Sequence, residues 1–542
     1  MKIELYDTTL RDGAQGAGVA FTEEDRLRVI HALDALGITY IEAGNFSVGS
    51  NDWEIFRRAA EIDASLENAR LVAFGSTRRV GERACDDAAL AAVAASKVKT
   101  VAVFGKSWDY QVEQVLHTTR EENLAMIADT VRFLKAAGKE VIFDAEHFFD
   151  GYSDSPAYAL KVLSMAHAAG ADTLVLCDTN GGMLPDIIGM TVSAVHAHLP
   201  DAKIGIHCHD DMGMAVACSL SAVLAGAVQV QGTMSGIGER CGNANLCTLI
   251  PLLQVKLGFG CVGDRQLAAL TATARRISEI ANLDFNEREP FVGGYAFTHK
   301  AGMHIDAVRK RPRTFEHIAP ERVGNSRNLL ISALSGRAAL QEKMQAVLPS
   351  LTKDSPQVAA VLARVKAAEG RGYQYEDAEA SLMLLIYAGL DLRRELFAVE
   401  TFKVMIGEPY TRDHGMVGSG STCSAMIKIA VDGVEEITAA EGCGPVNALD
   451  LALRKALMRF YPILDRVRLS DYKVRVSGSD SATASVVKVF IESTDGTRVW
   501  RTVGVSADII DASWQALLDA MEFYLLSEEL GALPQNPPQE TC

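Results

Sequence analysis

Short apolar runs recur along the first 260 residues, and each is followed by a polar turn and a stretch with helical periodicity. Three of the helical stretches, Glu23–Leu36, Thr119–Ala137 and Pro156–Ala169, end near a glycine or an Ala-Gly pair, which suits a helix C-cap. The apolar runs predict strands. They are Ile3–Asp7, Ile38–Ala43, Leu71–Gly75, Thr100–Phe104, Glu140–Asp144, Thr173–Cys177, Lys203–His207 and Ala227–Gln231.

Strands that alternate with helices predict a parallel sheet, because parallel neighbours need a crossover connection, which is usually a helix. Eight such units within about 250 residues predict a closed (β/α)8 TIM barrel. The alternative is an open doubly wound sheet, which would carry a Gly-rich dinucleotide loop after its first strand. The chain has Asp7–Gly13 (DTTLRDG) at that position, so the barrel is favoured, and we assign it residues 1–262.

The hydrophobic pattern changes after the barrel. Residues 263–395 are predicted to be mostly helical, with helices at Asp264–Ala281, Ala338–Leu348 and Asp377–Ala388. We expect this segment to be a set of linker subdomains without a core of its own. Residues 531–542 are predicted to be a tail.

Residues 396–530 contain an internal two-fold repeat of three strands and a helix. The first half has a strand at Phe397–Ile406, a hairpin at Asp432-Gly433 and a helix at Val446–Arg459. The second half repeats this order, with its parts at Tyr472–Ser477, Asp495-Gly496 and Asp508–Leu525. The repeat predicts an α+β domain, and a role in holding a ligand between its halves or in dimerisation is equally compatible with the pattern.

Composition narrows the class of protein and its partners. A net charge of −16 repels nucleic acid and anionic membrane surfaces, so neither is an expected partner. The ten cysteines are scattered without a C-x-x-C pair, which indicates reduced thiols. The N-terminus has no signal-peptide pattern, and no apolar stretch reaches the ~18 residues of a membrane span. We expect a cytoplasmic protein.

Polar residues at the ends of barrel strands are the candidates for chemistry, because active sites of TIM barrels lie at that face. His207 and His209 stand two apart on a strand and therefore point the same way, as metal ligands do. Asp12, at the end of the first strand, would complete a set of two imidazoles and one carboxylate that accepts several divalent ions. The alternative is that these are ordinary polar residues; the Arg11-Asp12 pair on a second strand end favours the metal site.

Other strand ends carry polar residues with less specific patterns. Glu146 follows the fifth strand and could act as a general base or as a structural hydrogen-bond acceptor, and the sequence leaves both open.

Several motifs together resemble the DRE-TIM metallolyase group, and within it the 2-isopropylmalate synthase/homocitrate synthase family. The barrel motifs are Asp7–Gly13, the His207/His209 pair and Gly238–Asn243 (GERCGN). Further stretches look most like the citramalate synthase members of that family, or like its linker and its leucine/isoleucine-binding domain. These stretches are Phe104–Asp109, Asp144–Tyr152, Cys177–Gly182, His299–His304, Gly442–Leu449 and Val503–Leu517.

The resemblance implies a metal-dependent condensation of acetyl-CoA with a 2-oxo acid. Asp12, His207 and His209 would bind Mg2+, Mn2+ or Zn2+, with Asn243 close to the ion. Arg11 would hydrogen-bond the keto oxygen, and Thr179 would contact the carboxylate of the oxo acid. Glu146 would remove the methyl proton of acetyl-CoA. Two further residues, Glu239 and His304 (of this or the partner subunit), would assist that proton transfer.

The resemblance also implies the pathway and the partners. With pyruvate, the reaction gives (R)-citramalate, a feedback-regulated step of isoleucine biosynthesis, in a homodimer with isoleucine or leucine as effector. Alternatives are the same chemistry on 2-oxoisovalerate or a homocitrate-type substrate, a lyase or aldolase on the same metal site, and a non-catalytic amino-acid sensor. Three positions depart from the family pattern: the loop at Ala43–Ser50, Asp210 where Asn is common, and Asp508 where Asn is frequent.

Overall fold

A computed structural model describes residues 1–46, 52–329, 336–352, 355–406, 423–477, 486–496 and 498–530. The chain forms two compact units. The first comprises residues 1–298 and 316–328, and the second comprises residues 299–315 and 329–542. Each is described below by itself. The tail at 531–542 and residues 47–50 of the loop that departs from the family pattern lie outside the described residues.

The first unit is built on a closed barrel of eight parallel strands, so the predicted fold is confirmed. Each strand pairs with the next along the chain, and β1 closes the ring by pairing with β8. All eight predicted strands are present, with ends that coincide or differ by at most two residues. They are β1 Glu4–Asp7, β2 Tyr40–Asn45, β3 Arg70–Ser76, β4 Thr100–Lys106, β5 Glu140–Glu146, β6 Thr173–Asp178, β7 Ile204–Cys208 and β8 Gln229–Gly232.

Two cores stabilise the barrel. Alternate strand residues such as Tyr6, Ile142 and Val175 form a compact cluster in the interior. The other strand faces pack against the surrounding helices in a larger apolar layer. The helices of this unit are Glu23–Leu36, Trp53–Arg57, Ala59–Ser65, Ala88–Ala95, Asp109–Gln114, Arg120–Ala136, Phe148–Asp154, Pro156–Ala169, Pro185–His198, Ala215–Leu224, Leu246–Pro251, Asp264–Leu267 and Leu270–Ile280.

The ends of the barrel helices follow the sequence signals. Thr22 and Asp25 form a capping box at the start of helix Glu23–Leu36. That helix and helix Pro156–Ala169 each end at a glycine in the left-handed conformation, Gly37 at φ 87° and Gly170 at φ 104°. Residues with a Cβ rarely adopt such φ values, so the predicted glycine C-caps are confirmed.

The second unit contains the predicted repeat. Strands Ala398–Ile406, Cys423–Val431 and Val434–Gly442 form one antiparallel sheet, and helix Pro445–Met458 packs on it. In the second half, strands Arg468–Ser477, Val486–Thr494 and Val499–Ser506 form the other sheet, on which helix Ile509–Leu530 packs. The predicted hairpins and helices are therefore confirmed.

The segment between the barrel and the repeat contributes to both units. Helix Leu270–Ile280 packs against the barrel helix Glu23–Leu36. Farther along, helix Glu379–Gly389 packs on helix Ile509–Leu530. The remaining helices of the second unit are Gly302–Lys310, Gly336–Val347 and Pro356–Gly370. Within the described part of the chain, no helix is long and apolar enough to cross a membrane.

Candidate active site

The two histidines and the aspartate predicted as metal ligands converge at one end of the barrel. His207 Nε2 lies 3.4 Å from His209 Nε2 and 3.6 Å from Asp12 Oδ2. The third side of this triangle, from His209 Nε2 to Asp12 Oδ2, measures 3.8 Å. All three residues are buried. Donor atoms at these separations can all contact one ion at ~2.1 Å, the usual bond length for nitrogen and oxygen ligands of zinc or magnesium.

The electrostatics of the three residues keep them in the forms that bind a cation. Burial raises the pKa of the Asp12 carboxyl, but Arg11 and the two imidazoles outweigh burial and lower it to about 2. Burial and the neighbouring His209 lower the pKa of His207 to about 4. Burial also lowers the pKa of His209. At neutral pH the site therefore offers a carboxylate and two neutral imidazoles.

Asn243 borders the triangle, as the resemblance implied. Its Nδ2 donates a hydrogen bond to Asp12 Oδ1 at 3.1 Å, and its Oδ1 is buried with no hydrogen-bond partner among the described residues. A buried amide oxygen without a partner is costly unless a cation or a water satisfies it. The donor set and this oxygen together fit a divalent cation.

Arg11 lies beside the candidate metal ligands. Its Nη1 donates to Asp12 Oδ2 at 3.0 Å, and its Nε donates to the buried Glu42. The guanidinium stacks on the Phe74 ring at 3.8 Å. Burial lowers the pKa of Arg11, but Glu42 and Asp12 outweigh burial and raise it. A permanent positive charge is therefore fixed next to the triangle.

Glu42 is a site residue that the sequence did not reveal. It is fully buried near the end of β2 and accepts hydrogen bonds from Arg11 and from the Tyr6 hydroxyl, the latter at 2.7 Å. The only signal in the sequence is one carboxylate within an otherwise apolar strand, and that signal does not identify its partners.

Glu146 and Thr179 lie at the ends of β5 and β6. Glu146 forms an ion pair with Lys106, which faces it in register on β4. The Glu146 side chain is 24% exposed, so a substrate can reach it. Thr179 is half-buried, and its Oγ1 accepts a hydrogen bond from the His147 backbone N–H at 2.9 Å.

The other two residues implied by the resemblance lie in different settings. Glu239 is 61% exposed, and its carboxylate is 3.9 Å from the Arg240 guanidinium. His304 belongs to helix Gly302–Lys310 of the second unit, where it is exposed and stacks on Phe315 at 4.1 Å. Their assisting roles stay predictions.

Two more buried residues lie near the triangle inside the barrel: Gln231 contacts His207, and Asp144 contacts Gln231. Gln231 Oε1 lies 2.9 Å from His207 Nδ1, and Gln231 Nε2 lies 3.4 Å from Asp144 Oδ1. Burial raises the pKa of Asp144 to about 8, so this carboxyl is largely protonated at neutral pH. The period-two pattern places Asp144 on the same face of β5 as Glu146, which is the signal that identifies it.

Asp210 and Asp508, which depart from the family pattern, each accept a hydrogen bond from a nearby backbone N–H group. Asp210 Oδ1 accepts from the Ala215 backbone N–H at 2.8 Å, at the start of helix Ala215–Leu224. Asp508 Oδ1 accepts from the Ile510 backbone N–H at 2.7 Å, at the start of helix Ile509–Leu530.

The second unit contains a cavity of about 580 Å³ between the two halves of the repeat. Helix Pro445–Met458 of the first half and strand Arg468–Ser477 of the second half line it. Its walls combine apolar side chains with charged ones, among them the Asp450–Arg454 ion pair and Arg468. The volume and mixed lining suit a small zwitterionic molecule.

Three family models match successive parts of the chain. Residues 2–278 match the HMGL-like family, and residues 291–372 match the homocitrate synthase post-HMGL domain-like family. Residues 376–525 match the LeuA allosteric (dimerisation) domain.

Curated relatives match almost the whole chain. An (R)-citramalate synthase of Aquifex aeolicus is 47% identical over 97% of this chain and 98% of its own length. The (R)-citramalate synthase of Geobacter sulfurreducens is 46% identical over the same shares. A probable 2-isopropylmalate synthase of Methanosarcina mazei is 30% identical over 97% of this chain and 96% of its own length. Among solved structures, a hydroxymethylglutaryl-CoA lyase from Pseudomonas aeruginosa has a TM-score of 0.44 and 21% identity, covering 52% of this chain and 94% of that chain.

Proposed function

The chain belongs to the family of the (R)-citramalate synthases, and on that premise we propose that it condenses acetyl-CoA with pyruvate to give (R)-citramalate and CoA. The methyl carbon of acetyl-CoA adds to the keto carbon of pyruvate, and water then cleaves the thioester. The observation that carries this proposal is the buried triangle of Asp12, His207 and His209 with the Arg11 guanidinium fixed beside it.

The triangle is where the keto acid would bind. Asp12, His207 and His209 would hold a divalent ion, which when bound supplies Lewis-acid activation of the keto oxygen. Mg2+, Mn2+ and Zn2+ all suit two imidazoles and one carboxylate, so the donor set leaves the choice among them open. Asn243, whose Oδ1 lacks a partner among the described residues, would complete the ion's surroundings.

Negative charge develops on the keto oxygen as the new carbon–carbon bond forms. Arg11 is held by Glu42 and Asp12 and stacked on Phe74, so it needs no reorganisation to stabilise that charge. Thr179 would orient pyruvate by donating its hydroxyl hydrogen to the substrate carboxylate.

Glu146 would remove the methyl proton from acetyl-CoA. Its carboxylate lies at the mouth of the barrel, partly open to solvent, and Lys106 holds it in place. His304 and Glu239 would assist this proton transfer. We propose the division 1–262, 263–395 and 396–530 for the catalytic, linker and regulatory parts of the chain.

Pyruvate is the proposed oxo acid because the relatives that match almost the whole chain at 43–47% identity are (R)-citramalate synthases, whereas the 2-isopropylmalate synthases match at 30%. Within the barrel, the rings of Phe74 and Phe104 stack with their centroids 5.4 Å apart. Phe74 also lies against the Arg11 guanidinium, so this ring fills space beside Arg11 and favours a substrate with a small side chain.

The second unit would regulate the reaction as part of a homodimer. Its match to the LeuA allosteric (dimerisation) domain supports a second copy of the chain as partner and an amino acid as effector. The cavity between the two halves of the repeat would hold isoleucine or leucine, with Arg468 facing the carboxylate of the amino acid. Inhibition by isoleucine would make this a controlled step of isoleucine biosynthesis.

Release of free CoA thiol from acetyl-CoA tests the proposed function. Purified protein with Mg2+, Mn2+ or Zn2+ would be assayed against pyruvate, 2-oxobutyrate, 2-oxoisovalerate and 2-oxoglutarate. We expect the highest kcat/KM with pyruvate. A preference for 2-oxoisovalerate or 2-oxoglutarate would retain the chemistry and contradict the assigned substrate, and no release with any oxo acid would contradict the reaction class.

A further inference from the structure

Gln231 contacts the triangle of Asp12, His207 and His209 through His207. It lies on β8, which is the strand between β1 and β7, and these two strands position Asp12 and the histidines. Gln231 is fully buried, and its side-chain oxygen lies 2.9 Å from His207 Nδ1. His207 Nδ1 is the ring nitrogen that faces away from the triangle, since Nε2 faces Asp12 and His209.

We propose that Gln231 is a positioning residue that fixes the tautomer of His207, so that Nδ1 carries the hydrogen and Nε2 presents its lone pair to the metal. This inference rests on the metal site of the proposed function and adds a residue to it. A neutral imidazole has one N–H, and the partner of one nitrogen decides which nitrogen can act as ligand.

Asp144 is the second neighbour of the Gln231 amide, with Asp144 Oδ1 3.4 Å from Gln231 Nε2. In the structure the amide nitrogen faces Asp144 and the amide oxygen faces His207. An amide oxygen can only accept a hydrogen bond, so His207 Nδ1 must be the donor.

A glutamine differs from the carboxylates that often hold metal-binding histidines, because it fixes the tautomer without adding charge. This matters in a site that already contains Asp12, Glu42 and the buried Asp144. A metal binds the imidazole nitrogen that carries a lone pair, not the one that carries the hydrogen. Without Gln231, His207 could place its hydrogen on Nε2, and that tautomer cannot bind the ion through Nε2.

Gln229 offers a matched control on the same strand. It is also fully buried and also points into the barrel, but its Nε2 donates to Glu4 Oε2 at 3.5 Å, one layer deeper than His207. Gln231→Met removes the acceptor with little change in volume, and Gln229→Met makes the same chemical change away from the triangle. Gln231→Glu keeps an acceptor for His207 Nδ1.

The experiment is titration calorimetry of full-length, chelator-stripped protein with Mn2+ and separately with Zn2+, alongside thermal unfolding of the metal-free variants. We expect Gln231→Met to weaken metal binding about 10- to 100-fold, the usual effect of removing such a partner, while its metal-free unfolding temperature stays near that of Gln229→Met. Gln229→Met should bind like the wild type, and Gln231→Glu, which keeps the acceptor but can add charge, should bind the ion more tightly than Gln231→Met.

The outcomes separate this inference from the proposed function. A wild-type protein that binds neither ion overturns the metal site, and with it the role of Gln231. A wild type that binds while Gln231→Met binds equally well overturns the inference alone. Equal losses in Gln231→Met and Gln229→Met also overturn it, because the effect would then come from packing in β8.

Discussion

The carboxylate of Glu146 forms an ion pair with the ammonium group of Lys106, and the two residues face each other in register at the ends of β5 and β4. The pair combines two properties expected of a general base. Its carboxylate is held in one place by the lysine, and it remains partly accessible to a substrate.

Glu146→Gln tests the assignment of the base. We expect kcat to fall by about 10²- to 10⁴-fold, the range that general-base catalysis contributes, with a much smaller change in the KM for pyruvate. Steady-state release of CoA thiol measures both constants. Glu113→Gln is the control and should leave kcat unchanged, because this carboxylate is 46% exposed, pairs with Arg120 and has no catalytic role in our account. A Glu146→Gln variant with more than a tenth of wild-type kcat would assign the proton transfer to another group.

His207→Ala tests the metal site through activity. We expect condensation to be abolished, because the proposed ion would lose one of its three protein ligands, while the far-ultraviolet circular dichroism of the protein stays unchanged. His196→Ala, on the exposed side of helix Pro185–His198, should retain full activity. Substantial turnover by His207→Ala would remove this residue from the metal site.

The fold could be predicted from the sequence because it depends on local patterns. Each barrel strand is a short apolar run bounded by turn residues, and the glycines at positions 37 and 170 mark helix ends. The triangle of Asp12, His207 and His209 was also predictable, because strand ends of a barrel converge at one face.

Other site residues could not be predicted, because their roles depend on contacts across the barrel. Glu42 contacts Arg11 in the loop after β1, Gln231 contacts His207 on β7, and one polar residue in an apolar run does not specify its partner. Residue contacts at long sequence separation follow only from the barrel register, which a single sequence does not contain.

Asp144→Asn tests the protonation of the buried Asp144 carboxyl. Its pKa is about 8 in the folded protein and about 3.9 in an unfolded chain. The raised folded value means that the stabilising contribution of this group is complete below about pH 4 and is lost as the pH rises toward 8. Asparagine stays neutral at every pH, so the Asp144→Asn variant does not lose this contribution. The unfolding temperature of Asp144→Asn minus that of the wild type should therefore rise between about pH 4 and pH 8.

The measurement is thermal unfolding of the metal-free proteins at half-unit steps from pH 4.5 to 9. Asp178→Asn is a useful comparison, because burial raises the pKa of Asp178 as well, but its carboxylate accepts two backbone N–H groups that favour the charged form. A difference between Asp144→Asn and wild type that does not change with pH would contradict a raised pKa for Asp144.

Arg468→Gln tests the effector cavity of the second unit. We expect the concentration of isoleucine or leucine that gives half-inhibition to rise by about tenfold or more, because a carboxylate would lose a charged hydrogen-bond donor. Activity without effector should be unchanged. Arg466→Gln is the matched control, since this exposed arginine does not line the cavity. Equal inhibition of both variants would place the effector elsewhere.

Regulation could also be tested by truncating the chain near Arg393, which removes the C-terminal repeat. Point variants are a more specific test than this truncation. Helix Glu379–Gly389 lies before that cut, yet it packs on helix Ile509–Leu530 after it. Ser381 Oγ also donates to Asp519 at 2.7 Å, and Arg393 itself pairs with Glu522. Removing the C-terminal repeat would therefore expose an apolar helix face along with removing the cavity.

Removal and restoration of the metal test the central claim most directly. The full-length protein would be stripped with a chelator, supplied with acetyl-CoA and pyruvate, and followed by CoA thiol release and chiral chromatography of the product before and after addition of Mg2+, Mn2+ or Zn2+. We predict no CoA release by the stripped protein, and restored release with (R)-citramalate in equal amount when a suitable ion is added. CoA release from the stripped protein at the wild-type rate, or a product other than (R)-citramalate after metal addition, would contradict the account.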